Sequence, residues 1–337
     1  MSTYKTWQVT GQRQFEFVDR ELVEPTYGQV RIRVAACGVC HSDMVAADGI
    51  LRDASVPIVP GHEVVGVIDA VGDGVSRYEV GDYVGVGYLG GPCYECDPCR
   101  RGDFVNCRDQ PELGRTQDGG YAEYVYVRAS GVVAVPDGLD ALSAAPLLCA
   151  GITVFNALRA AEAPPGALVA VQGIGGLGHL AVQYAKGMGY RTVAIARGAE
   201  KGELAAKLGA DDYIDSDVVD PAQALAAQGG AAAIVATAAS SASMSSLPGG
   251  LATRGRLVVV GIGLEPIEVQ PVELVFGTRT ITGSVTGSSI ENEDSLRFSA
   301  AVGVEPLIEV MPLDQAPEAY ERMMSGAARL RIVLDAK

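Results

Sequence analysis

The sequence is poor in positive charge and has no long apolar segment. Its 337 residues contain 26 Lys and Arg against 41 Asp and Glu, a formal net charge of −15. Such a chain repels backbone phosphates, so we expect no nucleic-acid partner. No apolar run approaches the roughly 20 residues that span a bilayer, and Met1–Thr10 lacks a signal-peptide core. We therefore expect no membrane partner and a cytoplasmic location.

Histidine and cysteine are also scarce, with three and seven residues. In a reducing compartment, clustered cysteines indicate metal ligation rather than disulfides. Most of these soft ligands fall into two groups. The first group is spread along the chain and consists of Cys40, His62 and Cys149. The second is compact and consists of Cys93, Cys96, Cys99 and Cys107. The sequence therefore predicts two metal sites.

The spread group is typical of a catalytic zinc, which has three protein ligands and one open position. Such a zinc polarises an alcohol or carbonyl oxygen. We expect Ser42 to relay the alcohol's proton, and Asp43 to orient His62. Glu63 is expected to coordinate transiently or to tune the field at the metal. Taken singly, these residues also fit a plain structural role, because a buried cysteine such as Cys37 is usually an inert packed thiol.

The compact group follows the pattern Cys93-x2-Cys96-x2-Cys99-x7-Cys107. Four thiolates close a tetrahedral shell, so the spacing predicts a structural zinc in a lobe over about residues 91–108. An iron–sulfur cluster is the competing interpretation, because three cysteines at x2 spacing also suit one. It is disfavoured because the bacterial ferredoxin pattern has x3 and a proline at its fourth cysteine, which this chain lacks.

The sequence pattern changes near Gly151. Before it, short segments bounded by glycine predict a β-rich domain, with strands over Val30–Val34, Glu63–Val71 and Tyr121–Val127 and a short helix over His41–Ala47. After it, apolar and amphipathic runs alternate, which predicts βαβ units and a parallel sheet. The predicted strands are Leu168–Gln172, Arg191–Ala196, Ala231–Thr237 and Leu257–Gly261, and the helices are Gly176–Met188 and Glu200–Leu208. A mixed pattern returns after about Gly283 and ends in a strand over Arg329–Leu334.

A glycine-rich segment lies between the first predicted strand and helix of this second region. It reads Gly173-Ile174-Gly175-Gly176-Leu177-Gly178, which fits G-x-G-x-x-G. In this context the glycines let the backbone turn tightly and approach a pyrophosphate at the helix N-terminus. The sequence therefore predicts an NAD(H) or NADP(H) site. His179 is expected to pack or to face solvent.

The second strand of a dinucleotide fold usually ends in an acid that binds the adenosine ribose. Here Arg191–Ala196 is followed by Arg197, and no carboxylate stands at its end. Arg197 is placed to pair with a 2′-phosphate, so we hypothesise a preference for NADP(H). The alternative is that Arg197 stacks on adenine or faces solvent.

Together these motifs resemble the zinc-dependent medium-chain alcohol dehydrogenase family. The resemblance runs through nearly the whole chain, and the matching segments are Cys40-His41-Ser42-Asp43, Gly61-His62-Glu63, the four-cysteine lobe, Asp118–Tyr124, Cys149-Ala150-Gly151, the glycine motif and Leu208–Asp211. It implies an α/β protein with a GroES-like catalytic domain over residues 1–150 and 286–337. It also implies a doubly wound Rossmann domain over residues 151–285, with the active site in the cleft between the domains.

The resemblance also implies further roles. His41 and Arg331 match positions that contact the cofactor pyrophosphate, and Thr153 matches one near the nicotinamide. Three more residues match loops that flank the cofactor, namely Thr237, Val260 and Gly261. Tyr88 matches an aromatic position of the alcohol pocket. One departure is Val45, which stands where many relatives end a proton relay with histidine.

The sequence thus predicts an enzyme that interconverts alcohols with aldehydes or ketones, using two zinc ions per chain and NADP(H) or NAD(H). A polyol or amino-alcohol dehydrogenase of the same fold is the alternative, and a non-catalytic nucleotide-sensing zinc protein is a further one. The family suggests a homotetramer or a dimer, with Thr278–Val285 as a candidate interface strand.

Overall fold

The computed structural model describes residues 2–50 and 56–337. The predicted 1–150 domain includes residues 1 and 51–55, which lie outside the described residues. The chain divides into two compact units. Unit 1 consists of Met1–Cys149, Gly287–Ala301 and Pro306–Lys337, and unit 2 consists of Ala150–Thr286 and Val302–Glu305.

The strands are, in chain order, β1 (Thr3–Gly11), β2 (Gln14–Glu21), β3 (Gln29–Val39), β4 (Val64–Val71), β5 (Tyr83–Val86), β6 (Tyr124–Arg128), β7 (Val132–Ala134), β8 (Leu168–Gln172), β9 (Arg191–Ala196), β10 (Asp212–Asp215), β11 (Ala231–Ala236), β12 (Leu251–Val259), β13 (Thr280–Gly283), β14 (Ile308–Pro312) and β15 (Arg331–Asp335).

The α-helices are α1 (Met44–Ala47), α2 (Asp97–Arg100), α3 (Ala141–Ala144), α4 (Ala150–Ala160), α5 (Gly178–Gly187), α6 (Glu200–Lys207), α7 (Pro221–Ala227), α8 (Ser241–Ser245), α9 (Pro271–Val275), α10 (Ser289–Val302) and α11 (Ala316–Met324). Short 3₁₀ turns occupy His41–Asp43, Ala129–Gly131, Ala145–Leu148, Pro248–Gly250 and Leu313–Gln315.

Unit 1 is built on a seven-stranded sheet with the order β14-β15-β3-β4-β5-β7, in which β6 also pairs with β3. The long strand β3 buries Val30, Ile32 and Val34 and exposes Arg33, as its alternating pattern predicts. Arg31 is buried as well, because its Nε donates to Asp69 Oδ2 at 2.7 Å. A buried guanidinium needs such a partner.

Unit 2 is a six-stranded parallel sheet with the order β10-β9-β8-β11-β12-β13. Relative to the first strand, β8, this is the order 3-2-1-4-5-6 of a doubly wound dinucleotide-binding fold. Strands β8 and β11 lie at its centre and are almost wholly apolar, as strands covered on both faces are. The predicted fold class is confirmed.

Some predicted element bounds were wrong. The predicted strand Tyr121–Val127 begins only at Tyr124, because the backbone of Tyr121 bonds instead to Pro60 O and accepts from Trp7 N. The helix expected over His41–Ala47 is a 3₁₀ turn followed by α1. The strand expected over Leu257–Gly261 is the longer β12, which ends at Val259.

Within the described residues, no single helix has the length and apolar character needed to cross a membrane. Two consecutive helical segments, Ala141–Leu148 and Ala150–Ala160, meet that test only when taken together.

Candidate active site

Four potential ligands from distant parts of unit 1 meet at one point. One ligand atom from each of Cys40, His62, Glu63 and Cys149 lies within 4.8 Å of the others. We call this group the buried cluster. Cys40 follows β3, and His62 and Glu63 precede its antiparallel partner β4, so the pairing of these strands brings them together. Cys149 arrives from the 3₁₀ turn Ala145–Leu148, with its Sγ 3.8 Å from that of Cys40.

The buried cluster carries polar atoms that the protein leaves unsatisfied. Among the described residues, His62 Nε2 and Glu63 Oε2 are buried without a hydrogen-bond partner. Buried polar atoms are nearly always paired, so these two imply a ligand. Two thiols and an imidazole are ligands that zinc prefers. The donor set therefore fits a zinc ion.

The charge around the buried cluster points the same way. A hydrogen bond from the Cys149 thiol lowers the pKa of Cys40 well below its ordinary value, although burial opposes this. Burial lowers the pKa of His62, but the negative charges of Asp43 and Cys40 outweigh it and raise that pKa well above its ordinary value. The shift of Cys40 favours the thiolate, which is the form that binds zinc, and the negative charges of Asp43 and Cys40 favour a cation at the position of His62.

Asp43 connects two members of the buried cluster. Its Oδ1 lies at an ion-pair distance of 2.9 Å from His62 Nδ1, without the alignment of a hydrogen bond, and its Oδ2 accepts a hydrogen bond from Cys40 N at 2.9 Å. Asp43 caps the 3₁₀ turn that begins after Cys40 and is itself buried. A carboxylate on the second nitrogen of a histidine fixes the tautomer and leaves the other nitrogen as the ligand atom.

Glu63 has a charged partner that the sequence did not predict. Its Oε1 forms an ion pair with Arg331, which enters from β15, and both side chains are buried. Burial nevertheless raises the pKa of Glu63 to about 7. The structure therefore gives Arg331 a position beside the buried cluster, whereas its expected contact with the cofactor stays a prediction.

The other predicted residues of unit 1 lie near the buried cluster in sequence or in space. His41 and Ser42 are exposed in the 3₁₀ turn, and Val45 is half-buried in α1. Tyr88 places its ring edge-on to His62, with ring centroids 5.4 Å apart. Burial raises the pKa of Tyr88 to about 12, so its hydroxyl stays protonated and donates to Glu112 Oε2 at 2.8 Å.

The four lobe cysteines also converge, with one sulfur from each within 4.8 Å of the others. The sulfurs of Cys93 and Cys107 are 3.6 Å apart, and those of Cys96 and Cys107 are 3.9 Å apart. Backbone amides donate to these sulfurs, among them Arg108 N to Cys96 Sγ at 3.5 Å. That amide is the main cause that lowers the pKa of Cys96 to about 6. The lobe therefore fits a closed tetrahedral site for zinc.

In unit 2, the three motif glycines each meet a distinct steric demand. Gly173 has a φ of +92°, which strains any residue with a side chain. A Cβ on Gly178 would lie 1.8 Å from Gly173 O, whereas one on Gly175 would meet nothing within 4 Å. Gly173 thus permits a tight turn, Gly178 permits close packing of the helix on the strand, and Gly175 leaves the backbone open to a pyrophosphate. The loop therefore fits a dinucleotide.

Gly176 and Leu177 complete the loop before α5, with Leu177 as the N-cap. Thr237 follows β11, and its hydroxyl donates to Gln172 O at 2.9 Å, so it ties two strand ends together. Val260 and Gly261 follow β12. Thr153 is buried in α4.

Arg197 is exposed immediately after β9. Two carboxylates lie beside its neighbour Gly198, which the sequence argument did not foresee. Asp215 Oδ1 accepts from Gly198 N at 2.9 Å, because β10 runs parallel to β9 with Asp215 opposite Ala196. Glu200 lies so close that a Cβ on Gly198 would be 2.3 Å from its Oε1.

Sequence reasoning also missed Tyr121, whose hydroxyl donates to Asp43 Oδ2 at 2.9 Å. It missed Glu112, which binds Tyr88 and forms an ion pair with Arg115. Tyr121 lies within the motif segment Asp118–Tyr124, which was the only available signal. No spacing rule connects Glu112 with Tyr88.

Comparison with known proteins agrees with this geometry. Residues 26–137 match the alcohol dehydrogenase GroES-like domain, and residues 176–301 match the zinc-binding dehydrogenase domain. An alcohol dehydrogenase of Penicillium expansum is 42% identical over 313 residues, 93% of this chain and 92% of the relative. One from Geobacillus stearothermophilus is 42% identical over 319 residues, 94% of this chain and 95% of the relative.

Among solved structures, a cinnamyl alcohol dehydrogenase from Sorghum bicolor superimposes with a TM-score of 0.89 and 34% identity. The match covers 99% of this chain and 98% of that one. The likeness in sequence and in fold thus extends over both units. The chain belongs to the zinc-dependent medium-chain alcohol dehydrogenase family.

Proposed function

We propose that the protein is a zinc- and NAD(P)-dependent alcohol dehydrogenase that interconverts alcohols with aldehydes or ketones. Unit 1 would be the catalytic domain and unit 2 the nucleotide-binding domain. The observation that carries the proposal is the buried cluster, in which His62 Nε2 and Glu63 Oε2 lack a partner among the described residues. These atoms face two thiols at ligand distance from one another.

Cys40, His62 and Cys149 would hold the catalytic zinc, with Glu63 near enough to join them. When bound, zinc supplies Lewis-acid polarisation of the alcohol or carbonyl oxygen, and the nicotinamide supplies the hydride donor or acceptor. Asp43 holds the imidazole of His62 by its Nδ1. Arg331 holds Glu63 Oε1, so the opposite oxygen is turned toward the ligands.

Ser42 would carry the substrate's proton toward solvent, since it is exposed in the turn after Cys40. Val45 has no titratable group, so the relay would not end in histidine at that position. Tyr88 would form one wall of the substrate pocket, because its ring contacts His62 edge-on. Its hydroxyl is held by Glu112, which fixes the ring.

The lobe would hold a second, structural zinc through its four cysteines. The loop Gly173–Gly178 would bind the cofactor pyrophosphate, with Thr237, Val260, Gly261, Thr153 and His41 along the rest of the dinucleotide. The metal content of the purified protein tests this part. We expect two zinc ions per chain, and one or none would contradict the proposed ligand sets.

We further propose a preference for NADP(H). Arg197 supports it, because an exposed guanidinium directly after β9 is placed to pair with a 2′-phosphate. The carboxylate of Asp215 should repel a 2′-phosphate only weakly, since its Oδ1 accepts from the backbone amides of Gly198 and Asp217. The carboxylate of Glu200 is the negative charge that would repel the 2′-phosphate more strongly.

Titration with NADPH and NADH, followed by nicotinamide fluorescence, tests the preference. We expect tighter NADPH binding, and Arg197→Ala should weaken it by about 10- to 100-fold, the range of a charge-assisted hydrogen bond. NADH binding should change little, and Glu200→Gln should strengthen NADPH binding.

Arg191→Ala is the matched control, since Arg191 is exposed at the opposite end of the same strand. It should leave both cofactors unchanged. Equal or tighter binding of NADH by the unmodified protein would overturn the preference and leave the zinc chemistry untouched.

A further inference from the structure

We infer that Tyr121 is a positioning residue of the buried cluster. It restrains the proposed metal ligand His62 from two sides. The inference rests on the proposed ligand set. Tyr121 is fully buried in the core of unit 1, and no ligand motif includes it. Its hydroxyl and its ring act on different partners.

The hydroxyl fixes Asp43. It donates to Asp43 Oδ2 at 2.9 Å, and the same oxygen accepts from Cys40 N at 2.9 Å. With two donors on Oδ2, the carboxylate cannot rotate without losing both bonds. Oδ1 is therefore turned to His62 Nδ1, 2.9 Å away. The orientation of the imidazole thus depends on the phenol through Asp43.

The ring fixes the backbone before His62. A Cβ on Gly61 would lie 2.5 Å from Tyr121 Cδ1, so the ring packs directly on that glycine. Gly61 has a φ of +97°, which an ordinary residue rarely adopts. The backbone turn that precedes His62 is therefore packed against the ring of Tyr121.

Backbone bonds hold this arrangement in register. Tyr121 N donates to Pro60 O at 2.9 Å, and Gly120 N donates to Gly61 O at 3.0 Å. On the other side, Trp7 N donates to Tyr121 O at 2.8 Å. The backbone of Tyr121 is thus fixed between β1 and the segment that leads into His62, which sets the position from which its side chain reaches Asp43.

Tyr121→Phe removes the hydroxyl and keeps the ring on Gly61. Tyr78→Phe is the matched control, because Tyr78 belongs to the same core and its hydroxyl donates to a backbone oxygen, Val132 O, at 2.8 Å. Both variants lose one buried hydrogen bond, so we expect similar small decreases in Tm. Only Tyr121→Phe should affect the metal.

The measurement is the rate at which zinc leaves the loaded protein for a chromogenic chelator. We expect Tyr121→Phe to speed release from the buried cluster about tenfold, the lower end for partners of metal ligands, and Tyr78→Phe to leave it unchanged. In an Asp43→Asn background, Tyr121→Phe should add nothing further. Equal rates in the two tyrosine variants, or additive effects with Asp43→Asn, would overturn the inference.

Cys149→Ala identifies which phase of zinc release belongs to the buried cluster, and it tests the ligand set separately. Loss of one phase supports the assignment on which the inference depends. If every phase persists in Cys149→Ala, the proposed ligand set fails, whatever the tyrosine variants do.

Discussion

The lobe and the buried cluster contain the same kind of potential sulfur ligand in opposite settings. The four potential ligands of the lobe come from residues 93–107, and three of them, Cys93, Cys96 and Cys107, are only half-buried. The potential ligands of the buried cluster come from residues 40–149, and its imidazole and carboxyl groups are almost completely buried. One site is made by a short loop, and the other by the tertiary fold.

The groups that contact the potential ligands also differ between the two sites, local in the lobe and distant in sequence in the buried cluster. Lobe sulfurs accept hydrogen bonds from backbone amides, such as Cys96 N to Cys93 Sγ at 3.4 Å. The buried cluster is surrounded by side chains instead, with Asp43 on His62 and Arg331 on Glu63. Backbone amides that donate to sulfur stabilise four thiolates around a closed metal site. Charged side chains can instead tune the charge and orientation of ligands at a metal site with an open position. The comparison therefore supports the proposed structural role of the lobe and the proposed catalytic role of the buried cluster.

Removal of a ligand from the buried cluster should have the largest effect. Cys149→Ala takes away one of three proposed ligands, so we expect activity to fall by more than about 100-fold, beyond the range seen for outer partners. Metal analysis should show one zinc lost and one kept. Cys37→Ala is the control, since Cys37 is a buried thiol outside both sites, and it should keep both metals. Loss of both zinc ions in Cys149→Ala would show that the sites are not independent.

Asp43→Asn should have the next largest effect. The amide is nearly the shape of the carboxylate but lacks the charge that holds His62 Nδ1, so zinc affinity and kcat should each fall by about 10- to 100-fold. Zinc competition assays and steady-state kinetics measure the two quantities. Zinc in the lobe should be unaffected, and a matching weakening there would remove the distinction drawn between the sites.

The two sites also differ in how far the sequence predicts them. The grouping of the lobe cysteines follows from spacing alone, because all four lie within one loop. The members of the buried cluster were singled out by motifs, but the side chains that contact them were not. Neither the pairing of Arg331 with Glu63 nor that of Tyr121 with Asp43 has a local signal, since each depends on strands that approach only in the folded chain. Asp215, whose carboxylate accepts from Gly198 N, was missed for the same reason, whereas Glu200 lies only three residues after Arg197.

Elements with a strong local pattern were predicted best. The strands Leu168–Gln172 and Arg191–Ala196 have the predicted bounds, because a short apolar run between glycines or polar residues has few alternatives. The strand expected from Tyr121 was wrong at its start, because a tertiary contact with Pro60 took its backbone amide. Pattern predicts a strand, but packing decides where it begins.

Disruption of the lobe should reduce stability more than catalysis. Cys107→Ser removes one of four ligands from a loop that has little other core, so we expect the lobe zinc to be lost and Tm to fall by several degrees. The kcat of the protein that stays folded should fall less than tenfold. Calorimetry with kinetics at low temperature separates the two quantities. A loss of kcat as large as in Cys149→Ala would mean that the lobe takes part in catalysis.

The smallest expected effect concerns the path by which the substrate's proton reaches solvent. With Val45 in place of a histidine, the pH profile of kcat should lack a limb near 6.5, the ordinary pKa of histidine. Val45→His should introduce such a limb and change kcat at neutral pH by less than about tenfold, whereas Val45→Ala should not introduce it. A limb near pH 6.5 in the unmodified protein that depends on neither zinc-bound water nor His41 nor Glu63, and so persists in His41→Gln and in Glu63→Gln, would contradict the prediction.

The ion pair between Glu63 and Arg331 joins residues 268 positions apart. During synthesis, the lobe cysteines are added before Cys149, and Cys149 is added long before Arg331. On the proposed ligand sets, a growing chain can therefore complete the lobe while the buried cluster still lacks members. Glu63 gains its cation only when β15 joins the sheet, so β15 determines when the buried cluster reaches its final arrangement.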